Sequence, residues 1–129
     1  VGQAGHTFNF WTQNMTTTIW HNPRCSKSRQ TLALLEERSI SPDVRLYLDD
    51  TPSTSEMAEV LRQLDIKPWE LLRRGEKVFK ELGLDKDTAD KALIEAMSAN
   101  PILIERPIVI HGGSAALGRP PESVLGLFD

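Results

Sequence analysis

The chain has 129 residues, a formal net charge of -3, and one cysteine in a composition that is 40% hydrophobic. This length suits a single domain with a real core; one cysteine excludes an internal disulfide framework, and the mild acidity excludes a global basic field for nucleic acid. With no apolar stretch of roughly 18 residues and no basic leader, a soluble cytoplasmic protein is expected, with neither membrane nor nucleic acid among its partners.

Val1 to Asn14 carry no Lys, Arg, Asp or Glu. They are read as an appended or disordered arm, with Met15 as a native start and residues 15–129 as a single domain. Thr16-Thr17-Thr18-Ile19-Trp20 is β-branched and aromatic and predicts a strand. The polar segment His21 to Thr31 follows. A helix is expected from Ser28 to about Arg38, its apolar run opening at Leu32, and Ser41-Pro42 breaks it. Val44 to Leu48 starts with apolar–polar alternation and predicts a second strand, closed by Asp49-Asp50-Thr51-Pro52. Strand, helix and strand in this length form a right-handed βαβ unit, so the two strands run parallel.

Ser53-Thr54-Ser55-Glu56 has the spacing of a capping box, and Met57, Val60, Leu61 and Leu64 lay one apolar face behind it. Pro68 can open a short helix through Leu72, and Arg73-Arg74-Gly75 ends it, the two arginines complementing the helix dipole. Glu76 to Leu84 is weakly helical. Asp87 or Thr88 can cap a helix presenting Ala89, Leu93, Ala96 and Met97, which Asn100-Pro101 stops. Ile108-Val109-Ile110 is strand-like, Gly112-Gly113 turns it, and Ser114 to Leu117 returns antiparallel. After Gly118-Arg119-Pro120-Pro121-Glu122, a last helix carries Val124, Leu125 and Phe128 onto the sheet. The sum is an α/β three-layer sandwich on the thioredoxin-like plan: a small mixed sheet with a helical insert between the βαβ half and the C-terminal hairpin plus helix.

Cys25 then sits where a strand hands over to a helix. Free N–H groups at a helix N-terminus and nearby cations lower a thiol pKa, and the same N–H groups cradle an oxyanion. Arg24, Lys27 and Arg29 are the local cations. Cys25-Ser26-Lys27-Ser28 has the Cys-x-x-Cys spacing without the second thiol, so a sulfur intermediate on Cys25 needs an external thiol to resolve it. Ser28 either donates to the sulfur or caps the helix. His21 tunes the thiolate, shuttles a proton or makes a structural hydrogen bond. Zinc is disfavoured, because Cys25, His21, His111 and His6 make no spaced ligand set. Arg106 and Arg119, each before a proline, are held extended, and separated arginines at structural corners suggest a bidentate clamp for a tetrahedral oxyanion.

These residues carry a family resemblance. His21-Asn22-Pro23-x-Cys25-x-x-Ser28-Arg29-x-Thr31-Leu32, Leu71-Leu72-Arg73, Glu105-Arg106-Pro107-Ile108-Val109 and Gly118-Arg119-Pro120-Pro121-Glu122 resemble, in order, the motifs of the glutaredoxin-coupled arsenate reductase family. The bulkier, more basic Arg24, Ser26 and Lys27 resemble a chromosomal branch. The resemblance implies that Cys25 attacks arsenate and that Arg73, Arg106 and Arg119 bind the oxyanion. It further implies glutathione and glutaredoxin as external reductants with no bound cofactor; a cis bond before Pro107 would, on the thioredoxin-like plan, turn that corner toward the Cys25 loop. Two other readings stay open: a monothiol redox or oxyanion-binding protein without arsenate turnover, and an RNA polymerase-binding regulator, which Ser28 in place of a second cysteine disfavours.

Overall fold

Successive strand residues point to opposite faces, and in the first strand the adjacent Ile19 and Trp20 are both buried, so the sheet has a core on each side. The structure, a computed structural model of the chain, describes residues 16–129. The arm expected at Val1 to Asn14 and the start expected at Met15 lie outside the described residues. In chain order the elements are β1 (Thr17–Trp20), α1 (Ser26–Glu37), β2 (Asp43–Arg45), α2 (Thr54–Leu64), α3 (Pro68–Leu71), α4 (Lys77–Glu81), α5 (Asp90–Ala99), a 3-10 turn (Pro101–Leu103), β3 (Ile108–His111), β4 (Ser114–Leu117) and a 3-10 helix (Pro121–Phe128).

The strands form one mixed sheet in the order β2-β1-β3-β4. β1 pairs parallel with β2, Ile19 opposite Val44, and antiparallel with β3, Ile19 opposite Val109. The β3–β4 hairpin turns at Gly112, whose φ of 63° is a left-handed value that glycine adopts without penalty. On one face Ile19 and Val109 pack with Leu35 of α1 and Val124 of the C-terminal 3-10 helix. On the other, Trp20 and Ile108 pack with Met57, Leu71, Leu93 and Met97 of the insert. This is the three-layer α/β plan expected from the sequence.

The capping box forms as read. Glu56 N–H donates to Ser53 Oγ at 3.1 Å, and Ser53 N–H donates to the Glu56 carboxylate at 2.9 Å. Other boundaries differ for local reasons. α1 starts at Ser26 rather than Ser28, because the Cys25 carbonyl already accepts from Arg29 N–H at 3.0 Å while Cys25 itself stays extended. The second strand stops at Arg45 instead of reaching Leu48. There the Leu46 carbonyl accepts from the N–H groups of Asp49 and Asp50 at 3.0 and 2.9 Å, a turn that folds Tyr47 inward onto Trp20. Neither Asp87 nor Thr88 caps α5. Their bonds close a separate turn with Asp85, and the N-cap is Ala89. The closing helix is 3-10 rather than α, and the weak helical run from Glu76 shortens to α4.

One non-local pairing carries the insert to the strand-to-helix junction. Arg73 N–H donates to the Leu103 carbonyl at 2.7 Å, Glu105 N–H donates to the Leu71 carbonyl at 2.9 Å, and Leu72 bridges Ile104. Residues 71–73 therefore lie antiparallel beside residues 103–105.

Candidate active site

His21 N–H donates to the Arg45 carbonyl at 2.8 Å, extending the β1–β2 ladder one residue past β1. The chain then turns: Cys25 N–H donates to the Asn22 carbonyl at 3.0 Å, Arg24 N–H donates to Asn22 Oδ1 at 3.0 Å, and α1 begins. Ser28, fully buried on the first turn of α1, reaches back to this loop. Its Oγ accepts from Asn22 N–H at 3.0 Å and lies 2.6 Å from His21 Nδ1. Burial and then the charge of Arg29 lower the His21 pKa from an ordinary value already below 7, so the imidazole is neutral near neutral pH. Asn22 N–H takes one acceptor site on Ser28 Oγ, and which of Ser28 and His21 donates in their shared bond follows the imidazole tautomer.

Cys25 is the N-cap of α1 and is partly exposed. Burial alone pushes its thiol up. Against that, Ser28 N–H, the Arg106 guanidinium and Lys27 N–H hydrogen-bond the sulfur and Arg106 adds its charge, so the net pKa falls below the ordinary thiol value. The cation that reaches the sulfur is thus Arg106, from the far end of the chain. Arg24, Lys27 and Arg29 point elsewhere: all three are exposed, and the Arg29 guanidinium donates to the Pro23 carbonyl at 2.9 Å.

Arg106 precedes a cis bond to Pro107, which the sequence left open, and the Arg119-Pro120 bond is cis as well. Gly118 N–H donates to the Pro107 carbonyl at 2.9 Å, and Arg119 Nη1 donates to the Arg106 carbonyl at 3.0 Å, so the two Arg-Pro corners are tied together. Gly118 is required there, since a Cβ would sit 2.7 Å from Pro107 Cγ and press on Thr31 Oγ1 of α1. Arg73 Nη1 donates to Glu105 at 2.7 Å and Arg73 Nε to Glu76 at 3.1 Å, while Arg119 Nε lies 3.8 Å from the other Glu105 oxygen. One carboxylate therefore gathers two of the arginines next to the residue that carries the third. Arg106 makes no ion pair among the described residues, and its Nε and Nη1 are buried without a hydrogen-bond partner.

A protein-family model described as the ArsC family matches residues 20–127. The chain belongs to the ArsC family. Its similarity to several relatives runs through nearly their whole length. An arsenate reductase of Haemophilus influenzae is 45% identical over 116 residues, covering 88% of this chain and 100% of that protein. An Escherichia coli protein named only as the uncharacterized protein YfgD is 49% identical over 109 residues, 83% of this chain and 92% of its own. The solved arsenate reductase of Vibrio cholerae superposes with a TM-score of 0.85 at 48% identity, covering 88% and 98% of the two chains. The fold is accordingly the thioredoxin-like one of ArsC structures.

Within this ArsC chain Cys25, His21 and Ser28 lie at the strand-to-helix junction, Arg106 acts on the sulfur, and Arg73 and Arg119 flank Glu105, whereas Arg24, Lys27 and Arg29 stay exposed. Ser28 has a different part from either expected. Its backbone N–H faces the sulfur, but its side chain neither caps α1 nor touches Cys25. Arg73 is likewise not a helix-dipole partner, since its charge is engaged by Glu76 and Glu105. Arg74 instead stacks on Trp69, 4.7 Å from the ring centroid. Sequence reasoning missed Glu105, although its place directly before Arg106-Pro107 was a usable signal. Nor did the sequence mark Tyr47 as more than a strand residue, although it is fully buried against Trp20 with its hydroxyl unpaired. Among the described residues no cluster of His, Cys, Asp and Glu is arranged to hold a metal ion, and no helix is long and apolar enough to cross a membrane.

Proposed function

We propose that the chain is an arsenate reductase in which Cys25 is the nucleophile and Arg73, Arg106 and Arg119 hold the oxyanion. Arg106 carries this reading: one guanidinium both favours the Cys25 thiolate and keeps two buried nitrogens, Nε and Nη1, without a hydrogen-bond partner. Buried donors without partners are rare and each is worth about 1–3 kcal/mol, so a tetrahedral anion beside the sulfur supplies what they lack. The arsenate reductases of Haemophilus influenzae and Vibrio cholerae, similar over almost their full length, support the same substrate. His21 and Ser28 are positioning residues that lock the loop before Cys25.

The thiolate attacks arsenic and an oxygen leaves as water, giving a Cys25–arsenic(V) adduct. Because the chain has one cysteine, the reducing electrons come from outside. Glutathione adds to the adduct with loss of a second water. A glutaredoxin thiolate then attacks the glutathione sulfur, the sulfur–arsenic electron pair passes to arsenic, and the oxidation leaves as a glutathione–glutaredoxin mixed disulfide. Water displaces arsenite from Cys25 and restores the thiol. The cycle calls on no resident cofactor and suits a reducing cytoplasm.

The test is arsenate-dependent NADPH consumption with glutathione, glutaredoxin and glutathione reductase. Cys25→Ser abolishes it, and Arg106→Ala lowers kcat/KM by about 100-fold or more, as for other fixed oxyanion donors. A wild-type chain that takes up a glutathione adduct at Cys25 yet shows no arsenate-dependent rate would overturn the proposal in favour of a monothiol redox protein.

A further inference from the structure

Among the described residues, the buried side-chain polar atoms without a hydrogen-bond partner are Arg106 Nε, Arg106 Nη1 and the hydroxyl of Tyr47. Tyr47 is fully buried, and its ring stacks on Trp20 with centroids 6.4 Å apart and planes 22° from parallel, so the phenol has no path to solvent on that side. A phenol in a core ordinarily finds a partner for its O–H. This one finds none, although it lies close enough to the site to feel the charges of Arg106, Arg73, Cys25 and Glu105. Burial first of all, opposed by the two arginines, pushes its pKa up to about 12, so the hydroxyl stays protonated and remains a donor.

We propose that Tyr47 is a further oxyanion-binding residue, its buried hydroxyl donating a hydrogen bond to an oxygen of bound arsenate beside the Arg106 guanidinium. The inference rests on the arsenate reductase reading and adds a residue to its site. The sulfur of Cys25 is not the phenol's acceptor: it already has donors from Ser28, Lys27 and Arg106, and Tyr47 makes no bond to it. Arg73 and Arg119 are partly engaged by Glu105, whereas the phenol is neutral, needs no counter-ion when buried, and has its proton uncommitted. It therefore offers a donor whose only missing partner is a bound oxygen.

The experiment compares the full chain with Tyr47→Phe, which keeps the ring and its stacking. Arsenate alone, then sulfate, is titrated against alkylation of Cys25, and thermal stability is followed with and without the anion. In the anion-free state the variant melts at or above the wild-type temperature, since the change removes an orphaned hydroxyl. Half-protection of Cys25 requires about tenfold more arsenate, the loss of one hydrogen bond to a charged acceptor, and kcat/KM for arsenate falls by a similar factor. Unchanged protection in Tyr47→Phe overturns the inference, and so does a variant that melts several degrees lower while binding arsenate normally. A wild-type chain whose Cys25 arsenate does not protect overturns the arsenate reading along with it.

Discussion

Ser28→Ala tests whether the Cys25 loop is held in place by the helix that follows it. The side chain removed is fully buried and serves two groups, Asn22 N–H at 3.0 Å and His21 Nδ1 at 2.6 Å. His21 and Asn22 are only 7% and 5% exposed, so water does not readily replace the lost oxygen. Each orphaned buried group is worth about 1–3 kcal/mol, and with partial relaxation the pair gives a loss of about 2–4 kcal/mol. For a domain of this size that is a fall in Tm on the order of 10 °C. Urea unfolding and calorimetry measure it, and a double-mutant cycle with His21→Phe isolates the His21–Ser28 term, expected at about 1–2 kcal/mol because removing both partners leaves fewer unpaired groups than the single changes imply. A Ser28→Ala loss under about 1 kcal/mol, or strict additivity in the cycle, refutes the argument that this buried pair holds the loop.

The lowered Cys25 pKa means that the fold favours the thiolate; that stabilisation is full above the thiol's unfolded pKa and is lost as pH falls through the lower folded one. Alkylation of Cys25 should accordingly persist to lower pH than that of a free thiol, and Arg106→Ala should move its pH midpoint upward; a midpoint unmoved by the substitution contradicts the hydrogen bond from Arg106. Glu56 is held at about 2 by its hydrogen bond to Arg45, with help from the Ser53 N–H, against an ordinary 4.5. Its contribution is full above the ordinary value and is lost as pH falls through about 2, so Glu56→Gln lowers Tm at pH 7 and much less near pH 2; thermal melts at the two pH values decide it. Gly118→Ala drives a Cβ into Pro107 and Thr31 and should destabilise by about 1–3 kcal/mol, as overpacking does. Because Pro107 follows Arg106, the same substitution should also slow Cys25 alkylation, and a variant that keeps both stability and alkylation rate would show that the corner yields freely.

Local chemistry was sufficient to place β1, the Ser53–Glu56 capping box, the Pro68 helix and the Gly112-Gly113 hairpin, because each depends on side chains within a few residues of one another. It was also sufficient to place Cys25 where α1 opens, since the strand and helix signals on either side of it are local. The βαβ unit followed from element order, and its parallel pairing from the handedness and length of the crossover. Propensity failed where a turn competed with a strand, at Leu46 to Leu48, and where an alternative local hydrogen bond competed with a cap, at Asp85 to Thr88.

The partners of the sulfur could not be read from neighbours in the chain. Arg24, Lys27 and Arg29 were the cations nearest in sequence, yet Arg106 is the one that meets Cys25, because the antiparallel pairing of β1 with β3 returns residue 106 to the junction. Likewise Glu105 gathers Arg73 and Arg119 only through the pairing of residues 71–73 with 103–105, and Tyr47 turns inward onto Trp20 only because its strand ends early. A sequence determines which groups can ionise, donate or cap; which charge faces which donor is decided by non-local packing, since electrostatic and hydrogen-bond energies depend on distances in space that chain separation does not set.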